Sequence, residues 1–354
     1  MRLGITADWH LGKNVDGTAS FDRSEEVLQQ IGHAVSVFRE KKVDAIAVLG
    51  DVSHSNHPSI RTNVHIRNAL EMLDKTGVPV LVIPGNHDST HEGNHALQPF
   101  MHGHWQNVEI HDDLCVWQKL AVVPHLPRSR FFDPEQYVTL AHTVYEDMAR
   151  NSGCQILLTH AQIAGCSVGR DYVMESGAIE LPQLDAAYVK LVLAGDVHKR
   201  QSYMLGEVAV LYPGSLTQTD YGEREEIKGV CIVDTENNSV ESIEVPGYVK
   251  YHAIVVSTER ELDDLPADTW DGIVDITVRD KTRLTLVENS AYGKNPKSIR
   301  GIRSIDEVVT VEGDKHYASL SYVDQLAEYV KTLTVGYSEE MLEIAKSIMD
   351  EVRT

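Results

Sequence analysis

The sequence predicts a layered α/β protein, and three observations carry that prediction. Short apolar runs of four to six residues alternate with longer amphipathic stretches from residue 2 to about residue 245. The runs have the length of buried strands, and the stretches between them repeat apolar residues at helical spacing. Strand, helix, strand in that order builds stacked layers of sheet and helix. Polar residues are also placed with a pattern, clustering at the carboxyl ends of the apolar runs.

The elements follow in order. Residues 2–7 read as a first strand, and Ser24 to Glu40 as a helix with Val27, Leu28, Ile31, Val35 and Phe38 on one face. Residues 45–49 and 80–83 are the next strands, separated by a helix over 60–75. A helix over 137–151 leads to strands at 155–159 and 191–194. After Pro213-Gly214-Ser215, segments 230–234 and 240–245 suggest a hairpin closing the sheet. Pro246-Gly247 marks a boundary. Beyond it, 251–256, 273–278 and 284–287 read as strands of a smaller α+β domain, and 323–333 and 338–352 as two helices. Ser338 is placed as an N-cap with Glu339 and Glu340 in the first turn. Met341, Leu342, Ala345, Ile348 and Met349 then form one apolar stripe. The expected units are residues 1–245, 246–320 and 321–354.

Composition narrows the class. The chain has 354 residues, 42% hydrophobic and 24% charged, which excludes disordered, collagenous and membrane-embedded proteins. Cys115, Cys154, Cys166 and Cys231 form no C-x-x-C pair, so no zinc knuckle or disulfide framework is expected. A reducing, cytoplasmic compartment fits them. No signal peptide and no apolar run of the ~20 residues of a membrane span is seen. Asp and Glu number 53 against 32 Lys and Arg, a balance of −21 that by itself argues against a general nucleic-acid binder.

The chemistry sits at the strand ends. The first strand runs into Asp8-Trp9-His10, the second into Gly50-Asp51, the third into Gly85-Asn86-His87-Asp88, the fourth into His160 and the fifth into Gly195-Asp196-Val197-His198. One such cluster is an ordinary turn, because Asp and Asn hydrogen-bond their own backbone. Five at successive strand ends describe a ligand-binding edge, the place where open α/β sheets bind. Asp, Asn and His without Cys suit manganese, iron or zinc, and the oxygen donors tilt the choice towards manganese or magnesium. Two such ions ~3.5 to 4 Å apart, bridged by one carboxylate, lower the pKa of a bound water and neutralise a phosphoryl transition state. Phosphoester hydrolysis is the reaction this set serves best.

These motifs resemble the calcineurin-like metallophosphoesterases and, within them, the SbcD-type nuclease subunits of the meiotic-recombination nuclease family, bacterial or phage. Asp8-Trp9-His10-Leu11-Gly12, the stretch from Gly50 through His54 to Pro58, Pro124 near Arg128, and Pro213-Gly214-Ser215 followed by Gly222-Glu223 carry the resemblance. It covers about the first 245 residues. Protein phosphatases of the superfamily carry Gly-Asp-x-x-Asp-Arg-Gly, whereas this chain reads Gly50-Asp51-Val52-Ser53-His54, which favours a nuclease. The resemblance implies a β-sandwich flanked by helices, in two or four layers, with a small cap and C-terminal helices. It implies one ion held by Asp8, His10, Asp51 and His198, and a second by Asp51, Asn86, His160 and residue 196. His87 would then be the non-ligand imidazole that stabilises charge or protonates the leaving oxygen, and His54 would help seat the phosphodiester. Position 196 departs from the family's usual His, and Asp196 is expected to remain a ligand with one more negative charge.

The same resemblance implies a manganese-dependent 3′ to 5′ exonuclease on duplex DNA and an endonuclease on single strands, acting in DNA recombination, repair and replication. It also implies a homodimer and a coiled-coil ABC-type ATPase partner of the SbcC type, bound by the C-terminal stripe. A small-molecule phosphodiesterase using the same centre is the alternative; a non-catalytic binding module is disfavoured by intact Asp8, Asp51, Asn86 and His87. Residues 279–303 hold seven Lys and Arg against Asp280 and Glu288, a local +5. Lys294, Lys297 and Arg300 in this island are expected to touch the DNA backbone. His91, His95, His102, His104 and His111 read as a solvated loop, because no carboxylate or Cys completes a metal set there.

Overall fold

Two similar α/β halves follow each other along the chain. The computed structural model describes residues 1–14, 23–90, 92–127, 137–168, 172–173, 186–256, 272–278 and 299–304. The first half comprises β1 (Arg2–Thr6), α1 (Ser24–Glu40), β2 (Ala45–Leu49), α2 (Ile60–Asp74), β3 (Val80–Ile83), the one-turn α3 (Gln98–Met101) and β4 (Val108–Ile110). The second comprises β5 (Cys115–Trp117), β6 (Leu120–Val123), α4 (Tyr137–Ser152), β7 (Ile156–His160), a short ribbon of β8 (Ser167–Val168) and β9 (Tyr172–Val173), then β10 (Leu191–Gly195), β11 (Gln201–Leu205) and β12 (Val208–Tyr212). β13 (Gly229–Asp234) and β14 (Ser239–Glu244) return to the first sheet, in the order β14-β13-β1-β2-β3-β4. The second sheet runs β11-β12-β10-β7-β6-β5.

The two sheets face each other, which the alternation along β1 makes plain. Leu3, Ile5 and Ala7 point into a core shared with Leu158, Leu191, Leu193 and Leu211 of the second sheet. Gly4 points the other way, toward α1, where a Cβ would lie 2.7 Å from the ring of Phe38. The outer face of the first sheet is covered by the apolar stripes of α1 and α2, including Val27, Ile31, Phe38, Ile66 and Leu70. On the second sheet the cover is α4, through Ala141, Tyr145 and Ala149. The result is four layers, α/β/β/α, so of the two expected layerings the thicker one forms. α2 begins as a helix should: Ser59 stands at its N-cap, and its hydroxyl accepts from the Thr62 amide at 3.0 Å.

β1, β2 and β3 are parallel neighbours in one sheet, and β7 and β10 parallel neighbours in the other. The five strands therefore do not share one open sheet, as the pattern alone suggested; their carboxyl ends meet across the sandwich. β7 and β10 each run one residue further than expected, which carries His160 and Gly195 into regular strand. β4, β5 and β6, of three or four residues, and the five-residue β11 and β12 were not anticipated.

Past Val245, β15 (Tyr251–Val256), β16 (Ile273–Val278) and β17 (Ile299–Ser304) form a small parallel sheet. Two of its strands were expected; β17 overlaps the end of the basic island. The expected strand at 284–287, Lys294, Lys297, the side chain of Arg300, both C-terminal helices and their stripe of Met341, Leu342, Ala345, Ile348 and Met349 lie outside the described residues. Among the described residues, no helix is long and apolar enough to cross a membrane.

Leu158 is fully buried between the sheets. Leu158→Ala should lower unfolding free energy by about 2–5 kcal/mol in a denaturant titration, the cost of a core cavity; a loss below about 1 kcal/mol would contradict the placement of that core.

Candidate metal centre

The site begins with backbone that ordinary residues avoid. Asp8, His10, Asp51 and Asp196 all adopt left-handed conformations, with φ of 54°, 50°, 52° and 90°. Such angles are strained for side-chain-bearing residues and are retained where the surroundings over-determine them. Here the surroundings are interleaved loops. The Asp8 amide donates to the Gly50 carbonyl at 3.1 Å, that of His10 to the Asp51 carbonyl at 2.9 Å and that of Leu11 to the Val52 carbonyl at 2.9 Å. The β1 and β2 turns thus continue pairing beyond the strands and aim their side chains into one space. Gly50, at φ +84°, has no room for a Cβ, which would sit 2.2 Å from His160 Nδ1.

Asp88 clamps these loops. One of its oxygens accepts from the Ser53 amide at 2.7 Å; the other accepts from Gly85 at 2.8 Å and Val52 at 3.2 Å. A fully buried carboxylate with three amide donors is satisfied without a cation.

Around this frame the expected residues converge. The two oxygens of Asp51 face different neighbours: Oδ2 lies 3.6 Å from His10 Nε2, and Oδ1 lies 3.4 Å from His160 Nε2. On one side His10 Nε2 and His198 Nε2 approach to 2.9 Å, with Asp8 close to both. On the other, His160 Nε2 stands 2.8 Å from Asn86 Oδ1 and 3.9 Å from Asp196 Oδ1. His160 Nδ1 donates to the Leu49 carbonyl at 2.7 Å, which turns Nε2 toward Asp51 and Asn86. Above them, the rings of His54 and His87 stack with centroids 5.2 Å apart, and both meet His10 edge-on. His87 is exposed, with Nδ1 3.1 Å from the His54 carbonyl.

The electrostatics describe a centre short of positive charge. Burial raises the Asp8 and Asp51 carboxyls, Asp51 well above the usual carboxylate range, against the pull of nearby imidazoles. For His160, burial works downward, yet Asp51, Asp196 and Asp8 outweigh it and lift the ring to about 9. His198 likewise reaches about 9 against its burial, through its bond to Glu223. Asp8 Oδ2 is buried with no hydrogen-bond partner. An orphaned carboxylate oxygen, two opposed ring nitrogens and a carboxylate with an oxygen toward each set are the donors that two divalent ions require. The residues present fit such a pair.

Two supporting residues, Glu223 and Lys228, were not singled out from sequence. Glu223 accepts from His198 Nδ1 at 2.6 Å, and Lys228 lies 2.8 Å from Glu223. Glu223 belonged to a motif of the resemblance but had no role there, and Lys228 gave no signal. Half-buried His125 stands 6.3 Å, ring to ring, from His160, with burial depressing its pKa to about 3. The expected solvated histidine loop is corrected in part: His95 is buried and paired with Asp112 at 3.2 Å, and His111 with Glu109 at 3.1 Å, while His102 and His104 are exposed. His91 lies outside the described residues. Glu109 and Asp112 flank His111 in the sequence, and only the pairing of Asp112 with His95, 17 residues apart, spans a distance.

A four-layer α/β sandwich with carboxylates and imidazoles gathered at one edge defines a binuclear metallohydrolase. The family model described as calcineurin-like phosphoesterase matches residues 1–200, and the chain belongs to that family of metal-dependent phosphoester hydrolases. It is 26% identical over 270 residues to the SbcD component of the nuclease SbcCD from Bacillus subtilis (strain 168), covering 67% of this chain and 66% of the relative. It is 23% identical over 259 residues to the same component of the Staphylococcus epidermidis nuclease, covering 68% and 67%. The chain thus spans about two thirds of the length of these relatives. A solved Thermus thermophilus structure aligns with a TM-score of 0.46 at 16% identity, covering 69% of this chain and 99% of that one.

Asp88→Asn turns one amide-accepting oxygen into a donor facing a backbone N–H. It should cost about 1.5–3 kcal/mol of stability, the scale of a lost hydrogen bond to a charged group, and thermal unfolding with and without Mn²⁺ measures it. An unchanged melting temperature would show that Asp88 is not the clamp.

Proposed function

We propose that this chain is the nuclease subunit of an SbcCD-like complex, hydrolysing DNA phosphodiesters at a two-metal centre in recombination, repair and replication. The carrying observation is Asp51, whose two oxygens face separate donor sets, with the His54 and His87 stack at the mouth. The names of the bacterial relatives support a nuclease that works in an SbcCD complex. The resemblance of the motifs supports DNA as the substrate and an ATPase as the SbcC-type partner.

In this reading Asp8, His10, Asp51 and His198 hold one ion, and Asp51, Asn86, His160 and Asp196 the other, with manganese the preferred metal. The ions would supply Lewis acidity toward the phosphoryl oxygens and an acidified water. The protein supplies the rest. The His160 bond to Leu49 fixes a ligand's tautomer, and Asp88 keeps the loops from relaxing. If His87 donates through Nδ1 to the His54 carbonyl, its Nε2 is left outward, where a protonated ring can give its proton to the departing 3′ or 5′ oxygen. His54, stacked against it, holds that ring upright and borders the position of the scissile phosphate. The basic island at 279–303 and the stripe at 341–349 would contact the DNA backbone and the ATPase, respectively. Homodimerisation and a cytoplasmic location complete the reading.

The test compares wild type and His87→Ala on a DNA duplex, a DNA single strand and a chromogenic phosphodiester, with Mn²⁺ and with Mg²⁺. Wild type should degrade DNA best with Mn²⁺, and His87→Ala should be slower by about 10²–10⁴-fold while binding Mn²⁺ as before. Turnover of the chromogenic ester with intact DNA would favour the small-molecule alternative.

Asp196→His restores the residue expected at that position. Mn²⁺ titration of this variant should show the second ion's affinity changed with the first ion's preserved. Identical affinities and rates would remove Asp196 from the ligand set. Mn²⁺ at about a hundredfold over its dissociation constant should stabilise the wild type by about 2.7 kcal/mol, and chelation should reverse this.

A further inference from the structure

Behind His198 lies a buried charged cluster that touches no other member of the donor sets described above. Glu223 ends a single 3-10 turn, Tyr221–Glu223, and is 6% exposed; Lys228, at the start of the path into β13, is 1% exposed. Ionised groups this deep persist only when every polar atom is matched, and here the matching is complete. Glu223 Oε1 accepts from His198 Nδ1 at 2.6 Å and from the Thr219 hydroxyl at 2.5 Å. Its Oε2 accepts from the Thr219 amide at 2.9 Å and from Lys228 Nζ at 2.8 Å. Lys228 spends its remaining protons on Glu226 at 2.6 Å and on the His198 carbonyl at 3.1 Å. The pair therefore grips His198 twice, by its ring through Glu223 and by its backbone through Lys228.

That grip determines which nitrogen faces the centre. A carboxylate only accepts, so Nδ1 keeps a proton, and when the ring is neutral, as an ion would require, its lone pair is on Nε2, on the side of His10 Nε2, 2.9 Å away. With the four bonds it accepts, Glu223 has no lone pair to turn toward an ion. We propose that Glu223, secured by Lys228 and Thr219, is the positioning residue for His198, setting its tautomer and basicity for one ion and leaving the other ion's ligands untouched. This rests on the two-metal reading above. The same cluster is sealed by the segment beyond Pro246-Gly247. Tyr251 of β15 is 2% exposed; its amide donates to Gln218 Oε1 at 2.8 Å and its hydroxyl to the Thr219 carbonyl at 3.4 Å. The Lys228 amide donates to the Tyr248 hydroxyl at 3.4 Å.

The experiment is calorimetric titration of the full chain with Mn²⁺, together with Zn²⁺-loaded samples whose histidine ¹⁵N resonances report each ring's protonated nitrogen. Wild type should bind two ions and show His198 protonated at Nδ1. Glu223→Gln, close in shape and uncharged, should weaken one ion by about 10–100-fold, leave the other within twofold, and shift only the His198 ring resonances. A merely structural role would weaken both ions together with the melting temperature. Glu223→Asp keeps the charge that Lys228 needs and is the deciding variant if Glu223→Gln does not fold; it should also weaken one ion selectively. Two ions bound with wild-type affinity and unshifted His198 resonances in the folded variant would overturn the inference alone, as would equal weakening of both. A wild type that binds no Mn²⁺ would overturn the metal reading and this inference with it.

Discussion

The hydrogen bond from His160 Nδ1 to the Leu49 carbonyl joins the two sheets at the point where the chemistry lies. His160 ends β7 in one sheet, and Leu49 ends β2 in the other. Their strands are otherwise held together by apolar packing, which is strong but non-directional. A directional bond at the rim sets how far apart the two strand edges stand. Gly195 shows how little latitude remains, since a Cβ there would lie 1.9 Å from the same Leu49 oxygen. A second bond crosses the same seam: the Asp196 amide donates to Asp8 Oδ1 at 3.0 Å. The sandwich is therefore closed by the residues that make the site, and the site's geometry is as rigid as the sandwich.

This arrangement explains where the strain sits. Four side-chain-bearing residues with left-handed backbone, Asp8, His10, Asp51 and Asp196, lie in the turns that leave β1, β2 and β10. Each turn must reverse sharply to bring a side chain back over the seam, and left-handed backbone achieves that in one residue. Strain of order 1–3 kcal/mol per residue is held by the Asp88 clamp and the extended β1–β2 pairing. The cluster of His198, Glu223 and Lys228 holds the fifth strand's turn in the same manner, with ionic contacts in place of amides.

Much of this was legible in the sequence because burial and periodicity are local. α1 spans the residues its apolar spacing marked, and β2, β3, β15 and β16 do as well, since a run such as Ala45–Leu49 can be buried only as a central strand. The strand-end residues could be read because each follows such a run. What could not be read depends on distance along the chain. The partition of the five strands into two sheets is decided by the inter-sheet core, which links Leu3 to Leu211. Asp112 reaches His95 over 17 residues, and Glu223 reaches His198 over 25, so neither pairing leaves a periodic trace. Short edge strands such as Val108–Ile110 carry too few residues to alternate.

The charge of the chain also takes a sharper meaning from the geometry. A balance of −21 weighs against DNA when spread over a surface, but the buried carboxylates differ in kind. Asp88 has its oxygens filled by three amide donors and Glu223 is paired with Lys228 and His198, so neither is left open to an ion. Asp8, Asp51 and Asp196 lack such partners in full, and together they bring three negative charges. Two divalent ions bring four positive ones, which would leave the centre at about +1, matched to the single charge of one phosphodiester. With histidine at 196 the same centre would stand near +2. Within the two-metal reading, Asp196 thus lowers the attraction of the centre for any anion by one unit relative to histidine.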